Sequence, residues 1–440
     1  MVWDDRSEYP MTFVVQMEFA GTLDRAAITR ALPLALQRHP LYQAVIQPAK
    51  GGRDGWVAAS DPTVTIDWGD LDAPIELQDG EAIDIRDGVG LRIWIRADDE
   101  QAIVTLQCHH AAADGIGSYQ FISDWLWYYA SEVGMPVEEE LPPLEPHALR
   151  DRIRNSFNLE NYQDDAGKFD WRSTKALGWQ CIKGVQPISA PKGKKSRKSI
   201  ADGHAIDFPG LCSFEFAPKV YREIRRAAEQ RGQTTNELLI ERLLVTMRQW
   251  NEANGQRGRR DLCIMMPMDL RELDTRMATA ANLVSYALIR RKQSQCVASE
   301  ELIDSLRQEM LHLKHQRQCT PFMSMISYIQ RFPVGLKKWI SSRRCMATAI
   351  VSNTGDPTKR FLVPFPRAKG LLQAGNLTMT DIGGVPPMRS GTRLTISIFT
   401  YRRVLKICLR CDPHLFDRED TKRFADAYQQ SIEALVELSV

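Results

Sequence analysis

Residues 108–115 read Cys108-His109-His110-Ala111-Ala112-Ala113-Asp114-Gly115, a His-His-x-x-x-Asp-Gly string. A neutral imidazole, with an unperturbed pKa of about 6.5, can exchange a proton near neutral pH. A carboxylate four residues beyond His110 could orient that ring, as the acid of a catalytic triad does. His109, His110 and Asp114 could instead ligate a metal. Adjacent histidines on a strand diverge, however, and no His-x3-His or cysteine pair nearby completes tetrahedral spacing. The later Cys408-Leu409-Arg410-Cys411 sits in a strand pattern that points its cysteines to opposite faces, against redox or zinc use.

The strand pattern before the motif separates the two histidines. Ala102, Val104, Leu106 and Cys108 are small or apolar at alternate positions, so they share one face. Continued by two residues, the run puts His110 on that apolar face and His109 on the other. His110 is the expected general base and His109 the expected structural residue. Gly115 leaves room for substrate beside the ring, or permits φ > 0. Ser118 is a good N-cap, and Ile122, Trp125, Leu126 and Tyr129 follow at helical spacing. The motif therefore occupies a strand-loop-helix turn, where rigid elements fix a loop on both sides.

Other elements must position that turn. Residues 12–20 read as a strand. A helix with Ala27, Ile28, Ala31, Leu32 and Ala35 on one side follows, and Pro33 predicts a kink or an early break in it. Residues 53–68 carry strand signals, and 91–109 read as a hairpin feeding the motif. Residues 136–205 change character, with a proline-rich stretch at Leu141–Pro146 and a basic run at Lys192, Lys194, Lys195, Arg197 and Lys198. That run reads as a solvated linker or as a landing site for an acidic carrier protein or coenzyme A phosphates. Beyond it come a strand at Phe214–Phe216, a helix over 219–230, and a capping box at Thr234–Glu237 opening another helix. Strands are expected over 261–268, 347–353, 377–382, 393–401 and 404–411, and helices over 300–315 and 418–438.

With 440 residues, 43% hydrophobic and 25% charged, the chain is an ordinary globular composition with a sizeable core. A net charge of +2 argues for neither nucleic acid nor membrane as a partner. No apolar run is long enough for a membrane span, and the N-terminal residues lack a signal-peptide pattern. Nine scattered cysteines, several in apolar runs, fit a reduced, cytoplasmic protein.

The octapeptide resembles the signature of the condensation-domain superfamily of acyltransferases, which resembles chloramphenicol acetyltransferase in fold. That superfamily includes peptide-synthetase condensation domains, plant alcohol acyltransferases, wax ester synthases and polyketide-associated acyltransferases. Three further stretches resemble its elements in the same order: Gly21-Thr22-Leu23-Asp24 leading through a helix to Arg38-His39-Pro40-Leu41; Pro267-Met268-Asp269-Leu270-Arg271 with Asn282 downstream; and Ser352-Asn353-Thr354-Gly355. The resemblance implies an α/β fold of two subdomains, 1–200 and 201–440, facing each other across a central tunnel with the His motif at its middle. It implies acyl transfer from a coenzyme A or carrier-protein thioester to an alcohol or amine, with His110 as general base.

For Asp114 the resemblance implies a structural role, paired to an arginine, and Arg271 is the expected partner. A buried carboxylate is costly unless paired, and a guanidinium fork matches it best. The resemblance places Asn282, Ser352, Asn353 and Gly355 as substrate-binding residues. No bound cofactor or metal is expected; acyl-CoA or acyl-phosphopantetheine would be the donor substrate. The other expected partners are a small-molecule acceptor and an acyl or peptidyl carrier protein, and a monomer is expected.

The chain departs from the plant alcohol acyltransferases, whose Asp-Phe-Gly-Trp-Gly string is replaced by Asp381-Ile382-Gly383-Gly384. No carrier or adenylation domain follows, so the enzyme is expected to act in trans or on free acyl-CoA. The rival reading is a non-catalytic relative that binds a carrier or lipid; the intact His110, Asp114 and Gly115 favour the enzyme.

Overall fold

Alternating buried side chains pair the strands into two mixed sheets. A computed structural model describes residues 1–49, 53–77, 80–145, 183–192, 208–255, 260–271, 279–315 and 344–437, together with Leu149, Lys175, Gly178 and Met325. The basic run beyond Lys192 and the boundary expected at residue 200 lie outside the described residues. In chain order the first part contains β1 (Thr12–Ala20), α1 (Arg25–Arg38), β2 (Ala44–Ala49), β3 (Arg53–Ala58), β4 (Ile66–Gly69), β5 (Leu91–Ala97), β6 (Gln101–His109) and α2 (Gly115–Glu132). The second contains β7 (Cys212–Phe216), α3 (Pro218–Gln230), α4 (Thr235–Ala253), β8 (Leu262–Asp269), β9 (Val284–Arg291), α5 (Glu300–His315), β10 (Ala349–Gly355), β11 (Arg367–Ala368), β12 (Leu371–Ala374), β13 (Leu377–Val385), β14 (Leu394–Tyr401), β15 (Val404–Cys411) and α6 (Arg418–Glu437). Among the described residues no helix is long and apolar enough to cross a membrane.

The first sheet has the order β11-β12-β13-β1-β6-β5-β4, the second β7-β15-β14-β10-β8-β9, and β2 with β3 forms a separate ribbon. One face of β1, with Phe13, Val15, Met17 and Phe19, packs with Val104 and Leu106 against Ile28 and Leu32 of α1 and Ile122, Trp125 and Tyr129 of α2. The second core joins Ile264, Ile289, Ile396 and Ile407 to Leu239 and Leu243 of α4 and Phe424 of α6. Burying each such side chain contributes roughly 1.5–3 kcal/mol.

Three features depart from the sequence reading. The helix α1 runs unbroken through Pro33. Pro33 and Thr29 lie on the exposed face, where the carbonyl that loses its partner can meet water, while six buried residues hold the other face. Second, α2 begins at Gly115, with Asp114 and not Ser118 as its N-cap; the Asp114 carboxylate accepts from Gly117 N–H. Third, the sheets do not divide at residue 200: β13 pairs with β1, Met17 opposite Ile382, so residues 367–385 complete the first sheet.

A second join between the halves runs along residues 279–283, just before β9. Ala280 N–H donates to His39 Nδ1 at 2.9 Å, so His39 carries its proton on Nε2, 3.1 Å from Asp124. Asp114 N–H donates to Ala281 O at 3.2 Å, and Leu283 N–H to Asp114 Oδ2 at 2.7 Å. Arg271 clamps the same carboxylate from two sides, Nη1 to Oδ2 and Nη2 to Oδ1, both at 2.9 Å. The side chains are 4% and 2% exposed. The expected Asp114–Arg271 pair is therefore formed, buried and bidentate. Gly117 lets the strip approach: a Cβ there would sit 2.8 Å from Ala281 N and 2.9 Å from Ala281 O.

Two stability predictions follow from this join. Asp114→Ala and Arg271→Ala should each lower stability by about 3–5 kcal/mol, the usual cost of stranding one member of a buried pair. Their losses should overlap in a double-mutant cycle read by urea unfolding; strictly additive losses would remove the coupling. Gly117→Ala forces a methyl group onto backbone atoms and should cost about 1–3 kcal/mol, as overpacking does. An unchanged urea midpoint would show that the strip yields freely.

Candidate active site

The strand β6 ends at His109, and the chain turns at His110. One ladder bond continues past the end, from His110 N–H to Met11 O at 2.7 Å. It keeps the phase long enough to bring the His110 ring edge-on to Phe13, centroids 5.2 Å apart, on the core side as expected. The ring is partly buried. Its other neighbour is Asn282, whose Nδ2 lies 2.8 Å from His110 Nδ1 and 2.6 Å from His110 O. Burial pushes the His110 pKa down to about 4, against an opposing pull from the Asp114 charge. The ring is uncharged at neutral pH.

His109 takes the opposite face, as expected, yet it is fully buried. The N-terminal segment covers it. Ala111 N–H donates to His109 Nδ1 at 3.1 Å, which leaves the ring proton on Nε2, 3.3 Å from Asp5 Oδ2. That approach lacks the alignment of a good hydrogen bond. Asp5 is in turn held by Met11 N–H at 2.8 Å. Nothing in the local pattern of residues 1–11 signals this contact.

Asp114 turns away from His110. Its oxygens accept from Gly117 N–H, Leu283 N–H and both Arg271 Nη atoms. Burial alone would raise its pKa; the guanidinium and the two backbone donors outweigh burial and hold the carboxyl below its usual range. The triad reading is thereby corrected, and Asp114 acts as clamp and helix cap. The metal reading fails on the same geometry, because Asp114, His109 and His110 each face different partners.

Gly115 opens α2 without a left-handed φ, so conformational freedom is not its reason. A Cβ there would touch only Tyr119, at 3.9 Å or more, leaving open space next to the His110 loop. Tyr119, missed in the sequence, is buried, and burial raises its pKa with the nearby Thr354 side chain opposing. The Thr354 hydroxyl donates to Ile398 O at 3.0 Å, within the second sheet. Asn353 is exposed and bonds Asn236 and Gly355 N–H; its contacts shape the turn and do not reach His110. Ser352 lies on β10 opposite Ser397. Asn282, placed among the substrate contacts by the resemblance, holds the histidine.

An apolar patch of Met265, Ala347 and Ile350, with Tyr286 and Leu288 packed against it, spans β8, β9 and the approach to β10. Tyr286 is close enough to Asp114 to feel its charge, although burial is the larger cause of its raised pKa. A surface depression of about 1000 Å³ lies at the far end of β9, lined by Arg290, Arg291, Glu309 and His312 among others. Its arginines are engaged by Asp261 and Glu309, and His110 does not border it. The His110 loop thus presents an uncharged imidazole held at one nitrogen, beside a glycine.

No family model matches the chain. An uncharacterized protein of Mycobacterium tuberculosis, in strains CDC 1551 / Oshkosh and ATCC 25618 / H37Rv, is 28% identical over 188 residues. The match covers 42% of this chain and 38% of that protein's length. Solved structures match over nearly the whole chain. The first condensation domain of the CDA synthetase gives a TM-score of 0.68 at 14% identity, covering 98% of this chain and 92% of that one. The starter condensation domain of rhizomide synthetase, in complex with C8-CoA and Leu-SNAC, gives 0.64 at 11% identity over 99% and 91%. The SgcC5 protein from Streptomyces globisporus, in complex with a naphthyl ethanediol and sucrose, gives 0.62 at 15% identity over 99% and 95%. The mixed α/β fold of this chain is that of the condensation domains.

Proposed function

We propose that this protein is an acyltransferase that moves an acyl group from a coenzyme A or carrier-protein thioester to an alcohol or amine. The observation that carries this reading is His110, uncharged and held by Asn282 beside the side-chain-free Gly115. Acyl transfer needs the acceptor and the thioester carbonyl aligned, and charge developing on that carbonyl oxygen met by a donor. It also needs the acceptor's proton removed. A neutral imidazole can serve as a base through a lone pair or as a donor through an N–H. The nitrogen that carries the ring proton decides between them.

The fold neighbours support the substrate classes. The rhizomide starter domain was captured with an acyl-CoA and an aminoacyl thioester, and the Streptomyces protein with a diol. No bound cofactor enters the reaction; the acyl-CoA or acyl-phosphopantetheine is a substrate.

Incubation with a series of acyl-CoAs and small alcohols or amines should release free thiol together with the acylated acceptor. His110→Ala should leave folding nearly intact and lower turnover by about 10²–10⁴. Near wild-type turnover of that variant at saturating substrate would remove His110 from the chemistry. No thiol release with any donor would favour the binding-only relative.

The acid limb of turnover provides a second check. The imidazole pKa falls from about 6.5 in the unfolded chain to about 4 here, chiefly through burial, with Asp114 opposing. The neutral ring therefore persists as pH drops past 6.5 and is lost only as pH approaches 4. Activity should hold through pH 6 and fall nearer 4. A limb centred on the ordinary histidine value would contradict the buried, uncharged ring.

A further inference from the structure

The contact between Asn282 and His110 determines more than position. Asn282 Nδ2 lies 2.6 Å from the His110 carbonyl oxygen, which only an NH2 group can approach so closely. Its Oδ1 accepts from Val284 N–H at 3.3 Å, which fixes the same amide orientation. The group 2.8 Å from His110 Nδ1 is therefore a donor, and a neutral imidazole that accepts at Nδ1 carries its proton on Nε2. Among the described residues no hydrogen bond is made by Nε2.

We propose that Asn282 is a positioning residue that sets the His110 tautomer, so that His110 presents an Nε2–H donor to the substrate and stabilises the carbonyl oxygen during acyl transfer. The inference rests on the acyltransferase reading and deepens it. The acceptor's oxygen or nitrogen bonds to the thioester carbon, the carbon–sulfur bond breaks, and the acceptor's proton leaves with the sulfur as free thiol. Nε2–H donates to the carbonyl oxygen while it is negatively charged and keeps its proton. The general-base role expected from the sequence needs a lone pair at Nε2, which this tautomer does not offer. Without Asn282, Nδ1 would lose the amide donor that keeps it a lone-pair acceptor, so the proton would be free to sit on Nδ1 and leave Nε2 as the lone-pair nitrogen.

The test is direct on the wild-type protein. Two-bond 1H–15N spectra of the histidine-labelled chain at pH 7, with the His110 signals assigned by their loss in His110→Gln, show which nitrogen is protonated. Protonation at Nε2 is expected; a neutral ring protonated at Nδ1 overturns the proposal. Asn282→Ala should move the proton to Nδ1, and a spectrum like wild type would remove Asn282 as its cause. Kinetics separates donor from base, because a glutamine amide can donate but cannot act as a base. If the ring acts as a donor, His110→Gln should keep at least about tenfold more turnover than His110→Ala, part of the 10²–10³ that such a donor contributes. Equal losses in both variants overturn the donor role. Failure of the acyltransferase reading would appear separately, as no thiol release by wild type, and leaves the spectral result decisive for the tautomer.

Discussion

An ionised carboxylate inside a protein is tolerated only where its charge is balanced and its lone pairs are filled. Asp114 satisfies both conditions with two Arg271 nitrogens and the N–H groups of Gly117 and Leu283. Each donor belongs to a different piece of structure. Gly117 is the first turn of α2, Leu283 leads into β9, and Arg271 follows β8. One side chain therefore fixes a helix start, a strand start and a strand end against each other. The loop carrying His110 lies in the middle of that assembly, and its shape follows from it.

Using Asp114 in this way has a chemical consequence. In a triad the acid stabilises the imidazolium that forms when the base takes a proton. Here the acid is fully engaged elsewhere, and the histidine's partner is a neutral amide, Asn282. Burial then dominates the ring and lowers its affinity for a proton. A site built this way favours an uncharged ring used for hydrogen bonding over one that stores a proton. His39 shows the same logic: it accepts from Ala280 N–H at Nδ1, so its own proton also sits on Nε2. Backbone or amide donors thus fix the tautomers of both rings in the strip between the halves.

Much of this was legible in the residues, where local rules and burial costs decide. Alternation from Ala102 to Cys108 placed His110 on the core side, and it lies against Phe13. The resemblance implies an arginine partner for Asp114, a guanidinium fork suits a buried carboxylate best, and Arg271 supplies it. The capping box at Thr234 and Glu237 is present as read. The misses share a physical origin. Ser118 has the type of a cap, but the Asp114 carboxylate, held in place by Arg271 from the other half of the chain, reaches Gly117 N–H first. Pro33 signals a break only if its side of the helix is buried, and that side faces solvent. The strand pattern of 377–385 says nothing about its partner, and β13 joins β1 and not the sheet of its own half. Asp5 covering His109, and Asn282 serving the histidine, are long-range contacts that no period in the sequence announces.

These joins bear on how the site can exist at all. His110 and Asp114 come from the first half of the chain, Arg271 and Asn282 from the second. Met17 and Ile382 pair across the same division. Taken alone, the first half would hold a carboxylate with no counterion, a helix start lacking the strip that packs on Gly117, and a histidine free to choose its tautomer. The sheet itself would end at β1 with an unpaired edge, a surface prone to unwanted association. The clamp and the crossing strand are thus requirements of one another. The strand brings the second half into register with the first, and only in that register do Arg271 and residues 279–283 meet Asp114. The histidine's chemistry is therefore a property of the joined molecule, set by contacts that neither half contains.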